Sequence, residues 1–516
     1  MKNFLEQIDG LANIESSYFW SKLLERTAFI CLILMTIFAP HSIALTQTFW
    51  LTGMLAWVIR QFIKPRPKLV KSGKLDFALW AFFGWTVISS IFSYAPDISI
   101  DKLRGAALFL IFYFVINNLR TIKAAKFIAF ALITSCMVSV LWTPIERIFG
   151  RGVEIHGLIA NSCLTKAILL EGDTILKANN KKVSSPEAFV AELEKNEVNK
   201  VEFYRPDFNA IVEIKRADLL SGEALEKLGI TSWKHSRNWR SAGFYGHYTT
   251  FAEVLQMIAS LTFGLFIVLF QISNSKFQIP KILPQNRIFT LSLFLCLIFM
   301  SLALLMTSTR ASQLAFIISA FVIVFFHGNR KLIIGLAAIV LPVALIGLYV
   351  LQQSRNVGFF DKTDNSITWR ETVWREGFNL ATNSPRHLLV GVGMDSIKRF
   401  KDDWHLFDNG KLPMGHFHST PLQLAVERGI PALLLWLLVL GVYWKQLFSA
   451  IRNPQSAIEK GILLGCLGGS IGFFASSLVH YNLGDAEVAM VFFLLMAVSA
   501  RIGNEPVKDN ERVSEV

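Results

Sequence analysis

The sequence predicts an all-α polytopic membrane protein of about twelve transmembrane helices, with a small α+β insert and a helical loop on its periplasmic side. Apolar residues fill 53% of 516 positions, 43 of them phenylalanine, and the mean hydropathy is +0.45, values of integral membrane proteins rather than soluble ones. The net charge of +13 is carried largely by short loops between apolar runs, the pattern of membrane orientation, which argues against nucleic-acid binding. Two polar stretches, about 147–247 and 352–419, interrupt the apolar pattern.

A helix crosses the hydrocarbon core with roughly 20 apolar residues. Stretches of that kind fall near 23–40, 42–60, 76–94, 103–118, 125–146, 248–271, 287–307, 311–327, 331–351, 420–443, 460–480 and 484–502. The turn at Ala39-Pro40-His41 leaves open one long kinked span, and 287–327 leaves open one helix with a re-entrant piece. Basic residues fill every second loop: Arg60 to Lys74, then Arg120, Lys123 and Lys126, then Lys276, Lys281 and Arg287, then Arg330 and Lys331, then Lys445, Arg452 and Lys460. Those loops are read as cytoplasmic, which places both termini in the cytoplasm and both long insertions in the periplasm. Glu6, Asp9 and Glu15, with no basic region leading into an apolar core, predict no cleavable signal peptide. The five cysteines are scattered without a CxxC or Cys/His cluster, so neither a disulfide framework nor a zinc site is implied.

Residues 152–217 mix strand and helix signals. Leu164 to Leu170 is apolar, Gly172-Asp173 turns, Thr174 to Lys177 resumes, and Asn179-Asn180 turns again. Ser184, Ser185 and Pro186 open a helix, with Glu187 placed for a capping box with Ser184. Val201 and Phe203, then Ile211, Val212 and Ile214, supply two closing strands. The stretch GDTILKANNKKVSSPEAFVAEL resembles a bacterial PDZ domain of the kind fused to periplasmic proteases. The resemblance implies capture of a protein tail by strand addition beside the loop HGLIANS, against the plainer role of a cover or spacer. The domain order is 1–147, N-terminal spans; 152–220, the insert; 243–502, C-terminal spans carrying the loop 352–419; and 503–516, a cytoplasmic tail.

Charge inside a span costs about 2.5–3.5 kcal/mol at its centre, so its placement is informative. Polar groups here gather at the periplasmic ends: His247 and Glu253, Arg310, His418 and Glu427, His480 with Asp485. A solute path needs such groups along the full depth, whereas one polar layer suits a substrate with its head group at the surface and its tail in lipid. The loop 352–419 carries nine basic and eight acidic residues interleaved with Trp369, Trp374, Phe378, Phe400, Trp404 and Phe407, a balance that predicts a folded lid. Ile367 to Ala381 reads as an amphipathic helix with Arg370 and Trp374 on one face. Guanidinium suits a pyrophosphate, and imidazole suits removal of a hydroxyl proton. A hydroxyl attacking an anomeric carbon, with a lipid pyrophosphate leaving, uses both.

Over residues 243–445 the chain resembles the O-antigen ligase and O-antigen polymerase superfamily. His418, Ser419, Leu422 and Gln423, followed by Glu427 and Gly429, resemble the family's His-(Asn/Ser)-x-x-Leu-Gln and Glu-x-Gly. Arg370, then Pro385 and Gly391-Val392-Gly393, resemble the Arg and the Pro and Gly-x-Gly segment of the large periplasmic loop. Arg310 in Ser-Thr-Arg resembles the Arg that opens the preceding span pair. The resemblance implies an inverting, metal-independent glycosyltransferase in the bacterial inner membrane that needs no cofactor. Its donor would be a glycan on undecaprenyl pyrophosphate, and its acceptor lipid A-core or another glycan. Arg310 and Arg370 would hold the pyrophosphate and His418 would act as base or position the acceptor. His416 competes with His418, and Glu427 and Trp374 join the substrate-binding set. A lipid-linked glycan transporter and a non-catalytic scaffold are the readings of other classes.

Overall fold

The computed structural model describes residues 2–14, 16, 18–205, 208–237, 239–274, 284–328, 334–335 and 365–504. The predicted span 331–351 apart from Ile334 and Gly335, the loop stretch 352–364, nearly all of the 503–516 tail, and Lys276, Lys281, Arg330 and Lys331 lie outside the described residues. The chain divides into two compact units: residues 1–138 with 244–305 and 309–516, and residues 139–243 with 306–308.

The first unit is helical. Among the described residues, seven helices are long and apolar enough to cross a membrane: Ile122–Phe149, Tyr248–Gln271, Arg287–Met306, Arg310–His327, Thr420–Arg452, Ala457–Ser477 and Ala486–Gly503. Phe19–Phe38, Ile43–Phe62 and Lys74–Ile91 are helices at three further predicted stretches. The first two are separate helices, the second N-capped by Ser42, rather than one kinked span. Pro284–Met306 and Arg310–His327 are likewise two helices. Residues 103–118 are helical but tighten through a 3-10 turn at Ala107–Phe109.

Small residues set the closest helix contacts. A Cβ on Gly461 or Gly465 would come within 2.8 Å of backbone in Tyr248–Asn274, and one on Gly472 within 2.9 Å of the Ala315 carbonyl. Close backbone approach of this kind drives helix association where lipid supplies no hydrophobic force.

The Thr420–Arg452 helix is broken at Gly429, which sits at φ 78°, ψ 169° with Pro431 behind it. The break removes the N–H groups that would reach back to Val426 through Arg428. Other segments satisfy those carbonyls: Val392 N donates to Val426 O (2.9 Å), Gly393 N to Glu427 O (2.8 Å) and Trp85 Nε1 to Arg428 O (2.9 Å). The fit leaves no room for side chains, since a Cβ on Gly391 would lie 2.4 Å from Arg428 N and one on Gly429 2.0 Å from Leu389 O. The Gly-x-Gly and Glu-x-Gly stretches therefore interlock.

The second unit is a six-stranded antiparallel sheet: β1 (Arg151–Leu158), β2 (Thr174–Ala178), β3 (Lys181–Lys182), β4 (Val198–Arg205), β5 (Phe208–Lys215) and β6 (Ile230–Ser236), in the order β5-β4-β2-β1-β6 with β3 on β2. Its core gathers Val153, Ile155, Ile175, Phe189, Val201 and Ile214 among others. Two expectations change here, the cap and the end of the sheet, and one apolar run gains a shape the sequence left open. The helix Pro186–Leu193 is capped by Ser185, which accepts from Ala188 N, because Pro186 fixes the first helical residue. The apolar run from Leu164 begins with a helical turn, Cys163–Lys166. The sheet also continues past residue 220, since β6 pairs with β1 from Leu158↔Ile230 to Arg151↔Ser236. On its other side β2 meets β1 at Val153 and Glu154, while Gly157 N and Leu158 N, in HGLIANS, donate to the Glu171 carboxylate; the outer strands are β5 and β6.

Candidate functional site

The sequence HFHSTP lies where the loop enters the Thr420–Arg452 helix. Phe417 is fully buried and both its backbone polar groups are tied: its N–H donates to Gln423 Oε1 (2.8 Å) and its carbonyl accepts from Trp374 Nε1 (3.0 Å). A Cβ on Gly377 would press on the Phe417 ring at 2.8 Å. Pinned on that anchor, His418 takes a left-handed backbone at φ 49°, a conformation costing a non-glycine residue roughly 1–2 kcal/mol. Ser419 then caps the helix by accepting from Leu422 N. The two histidines emerge side by side, their ring centroids 4.0 Å apart, with His418 N donating to His416 Nδ1 (3.2 Å).

Trp369 stands between the imidazoles and the guanidinium. Its ring lies 5.0 Å from His418, and Arg370 Cζ lies 4.4 Å over it. Burial lowers the His418 imidazole most, and charge on His416, Arg370, His480 or His247 acts in the same direction, so that it sits at about 3. Burial, Lys398 and His480 hold His416 at about 4. Both imidazoles are neutral at neutral pH and accept a hydrogen bond readily. The sequence reading asked for a base near neutrality; at His418 an incoming anion would be needed to restore it.

Glu427 and Trp374, assigned to substrate from sequence, direct their polar atoms to the protein. Glu427 is 1% exposed; its Oε1 accepts from Gln423 Nε2 (2.9 Å) and Asp395 N (2.9 Å). The Asp395 carboxylate in turn meets Lys102 and Lys398, each at 3.0 Å. Burial alone would raise this carboxyl, and the two ammonium partners outweigh it, holding it below the usual range. Thus Gln423, Glu427 and Trp374 shape the loop that carries the histidines.

Arg310 is the exposed first residue of Arg310–His327. Two residues on, Ser312 Oγ donates to Glu253 Oε1 (3.1 Å), the carboxylate oxygen that His480 Nδ1 also meets (2.8 Å). His480 O accepts from Thr420 N (3.0 Å), two residues past His418. The start of that helix therefore connects to the imidazole cluster, while Arg370 adjoins it through Trp369. Sequence reasoning placed Glu253 and His480 at one membrane depth but did not pair them; they are 227 residues apart. Among the described residues, no three His, Cys, Asp or Glu side chains group to hold a metal ion.

These features define a multi-pass membrane protein whose polar residues converge where the loop before Thr420 enters the helical unit. Residues 295–437 match the family described as O-Antigen ligase. Over 144 residues the chain is 31% identical to the exopolysaccharide production protein ExoQ of Rhizobium meliloti (strain 1021), an alignment covering 26% of this chain and 32% of that protein. The likeness thus spans about a third of the relative's length. The matched interval contains Arg310, Arg370, His416, His418 and Glu427.

Proposed function

We propose that the chain is an inner-membrane glycosyltransferase that moves a glycan from undecaprenyl pyrophosphate to an acceptor hydroxyl at the periplasmic face. The observation that carries the reading is the packing of Arg370, Trp369, His418 and His416 in one row inside the interval matching O-Antigen ligase. Arg370 and Arg310 offer planar donor forks to the diphosphate, Trp369 fixes the first of them, and His418 accepts or orients the acceptor hydroxyl. An inverting, metal-independent displacement needs only these parts. Twelve spans with both termini cytoplasmic would put the row on the periplasmic side. The inserted unit is read as PDZ-like and as a cover or spacer, with capture of a protein tail beside HGLIANS as the alternative role.

Two acceptors are in view. The family's description names an O-antigen ligase, which we read as ligation to lipid A-core, and the relative's name speaks of exopolysaccharide production, which we read as polymerisation. Deleting the gene and resolving the surface glycans on a gel separates them. Loss of the whole ladder from lipid A-core supports ligation, a single-repeat band supports polymerisation, and a ladder intact with one shifted protein supports protein glycosylation. An unchanged glycan profile contradicts transfer altogether.

A further inference from the structure

Glu253 lies inside Tyr248–Asn274, 1% exposed, and donors from three other segments converge on it. Oε1 meets His480 Nδ1 (2.8 Å) and Ser312 Oγ (3.1 Å); Oε2 meets Ser476 Oγ (2.6 Å) and Asn482 Nδ2 (3.4 Å). An ionised carboxylate only accepts, so Nδ1 of His480 carries the hydrogen and Nε2 is left as the acceptor. The backbone fixes the ring's place as firmly. His480 O accepts from Thr420 N (3.0 Å) and Thr420 Oγ1 (3.1 Å), and the ring of Tyr481, its neighbour, lies 5.8 Å from that of His416. His480 lies within electrostatic reach of both His416 and His418. A carboxylate holding one imidazole nitrogen while the other faces a reaction is the arrangement by which enzymes stabilise a transient imidazolium.

We infer that His480, oriented by Glu253, is a second imidazole of the transfer site and takes the proton of the acceptor hydroxyl. The inference rests on the transfer reading above and adds the proton's destination. The acceptor oxygen forms a bond to the anomeric carbon, and the bond from that carbon to the diphosphate oxygen breaks, its electron pair leaving with the lipid diphosphate. The hydroxyl proton goes to His480 Nε2 and from there to the departing diphosphate or to water. His418, whose surroundings add positive potential, accepts a hydrogen bond and aims the hydroxyl. Glu253 meets the charge that forms on His480.

The test uses the full-length protein in membranes with undecaprenyl-diphosphate-linked oligosaccharide extracted from producing cells, reading undecaprenyl diphosphate release per inserted protein. His480→Gln is expected to lower kcat at least about 100-fold with KM within about threefold. Glu253→Gln is expected to lower kcat about tenfold or more with KM within about threefold, and Glu253→Asp is expected to recover most of that loss. His247, Arg370, Asp395, Lys398, His416 and His418, the other titratable or charged groups facing this corner, are unchanged in these variants. A purely structural role would lower the amount inserted and leave kcat per inserted protein at the wild-type value in both His480→Gln and Glu253→Gln, which would overturn the inference. Full kcat in His480→Gln beside inactive Arg370→Ala and His418→Asn would overturn it alone; full kcat in all three would overturn the transfer reading beneath it.

Discussion

The inserted sheet and the His416–Gly429 segment solve opposite problems. In the sheet each strand pairs with neighbours, and a core of alternate side chains sits beneath, so local pattern and local turns carry the structure. In His416–Gly429 the backbone departs from regular geometry at both ends, at His418 (φ 49°) and Gly429 (φ 78°), and distant residues hold it: Trp374, Val392, Gly393, Trp85 and His480. Irregular backbone of that kind persists only where its surroundings over-determine it, and it concentrates here beside the imidazoles and Arg370.

The contrast gives an order of expected effects. Arg370→Ala and His418→Ala should each reduce transfer by at least about 100-fold, without lowering membrane insertion, as measured by donor turnover per inserted protein; wild-type turnover would remove both from the site. Gly429→Ala places a Cβ 2.0 Å from Leu389 O at a positive φ, so a loss of about 2–4 kcal/mol is expected, read as a lower melting temperature in detergent together with lost turnover. Asp173→Ala should be comparably destabilising in the sheet, by about 3 kcal/mol, because Arg205 pairs with that carboxylate through Nε and Nη2 and would be left uncompensated. Its expected signature differs: faster proteolysis within 151–236, with donor turnover within about threefold of the wild type. Turnover that falls with Asp173 would erase the distinction between the two regions.

The smallest effect concerns pH. His416 and His418 sit at about 4 and about 3 when folded, below the roughly 6.5 of an unfolded histidine. The unfolded chain binds more protons in between, so stability is complete above about pH 6.5 and falls as pH drops toward those folded values. Melting at pH 7 and pH 5 should show that fall, and His416→Gln with His418→Gln should shrink it; an unchanged gap would place the acid sensitivity elsewhere.

Legibility in the sequence follows the same divide. The turns at Gly172 and Asn179-Asn180, the strands around Phe203 and Val212, and the helix after Ser185 were readable because each depends on residues a few positions apart. β6 was not, since its pairing with β1 spans about 75 residues and TSWKHS carries little apolar alternation. In the site, Arg370, His416 and His418 were visible as residue types at an interface, and the resemblance drew them together. The bonds of Glu427 to Gln423 and Asp395 and of Trp374 to Phe417 were not legible, because a polar group that shapes a loop and one that meets a substrate look alike in one dimension. Glu253 and His480 shared only a membrane depth, and nothing local announced their contact.

The central claim is that Arg370 and His418 serve one chemical event. A double-mutant cycle with Arg370→Lys and His418→Asn, read as the rate of undecaprenyl diphosphate release from membranes, tests it most directly. The account predicts that the double variant is no slower than the worse single variant by more than about threefold, as for groups acting as a unit. Losses that multiply would contradict it, by showing two residues that act apart.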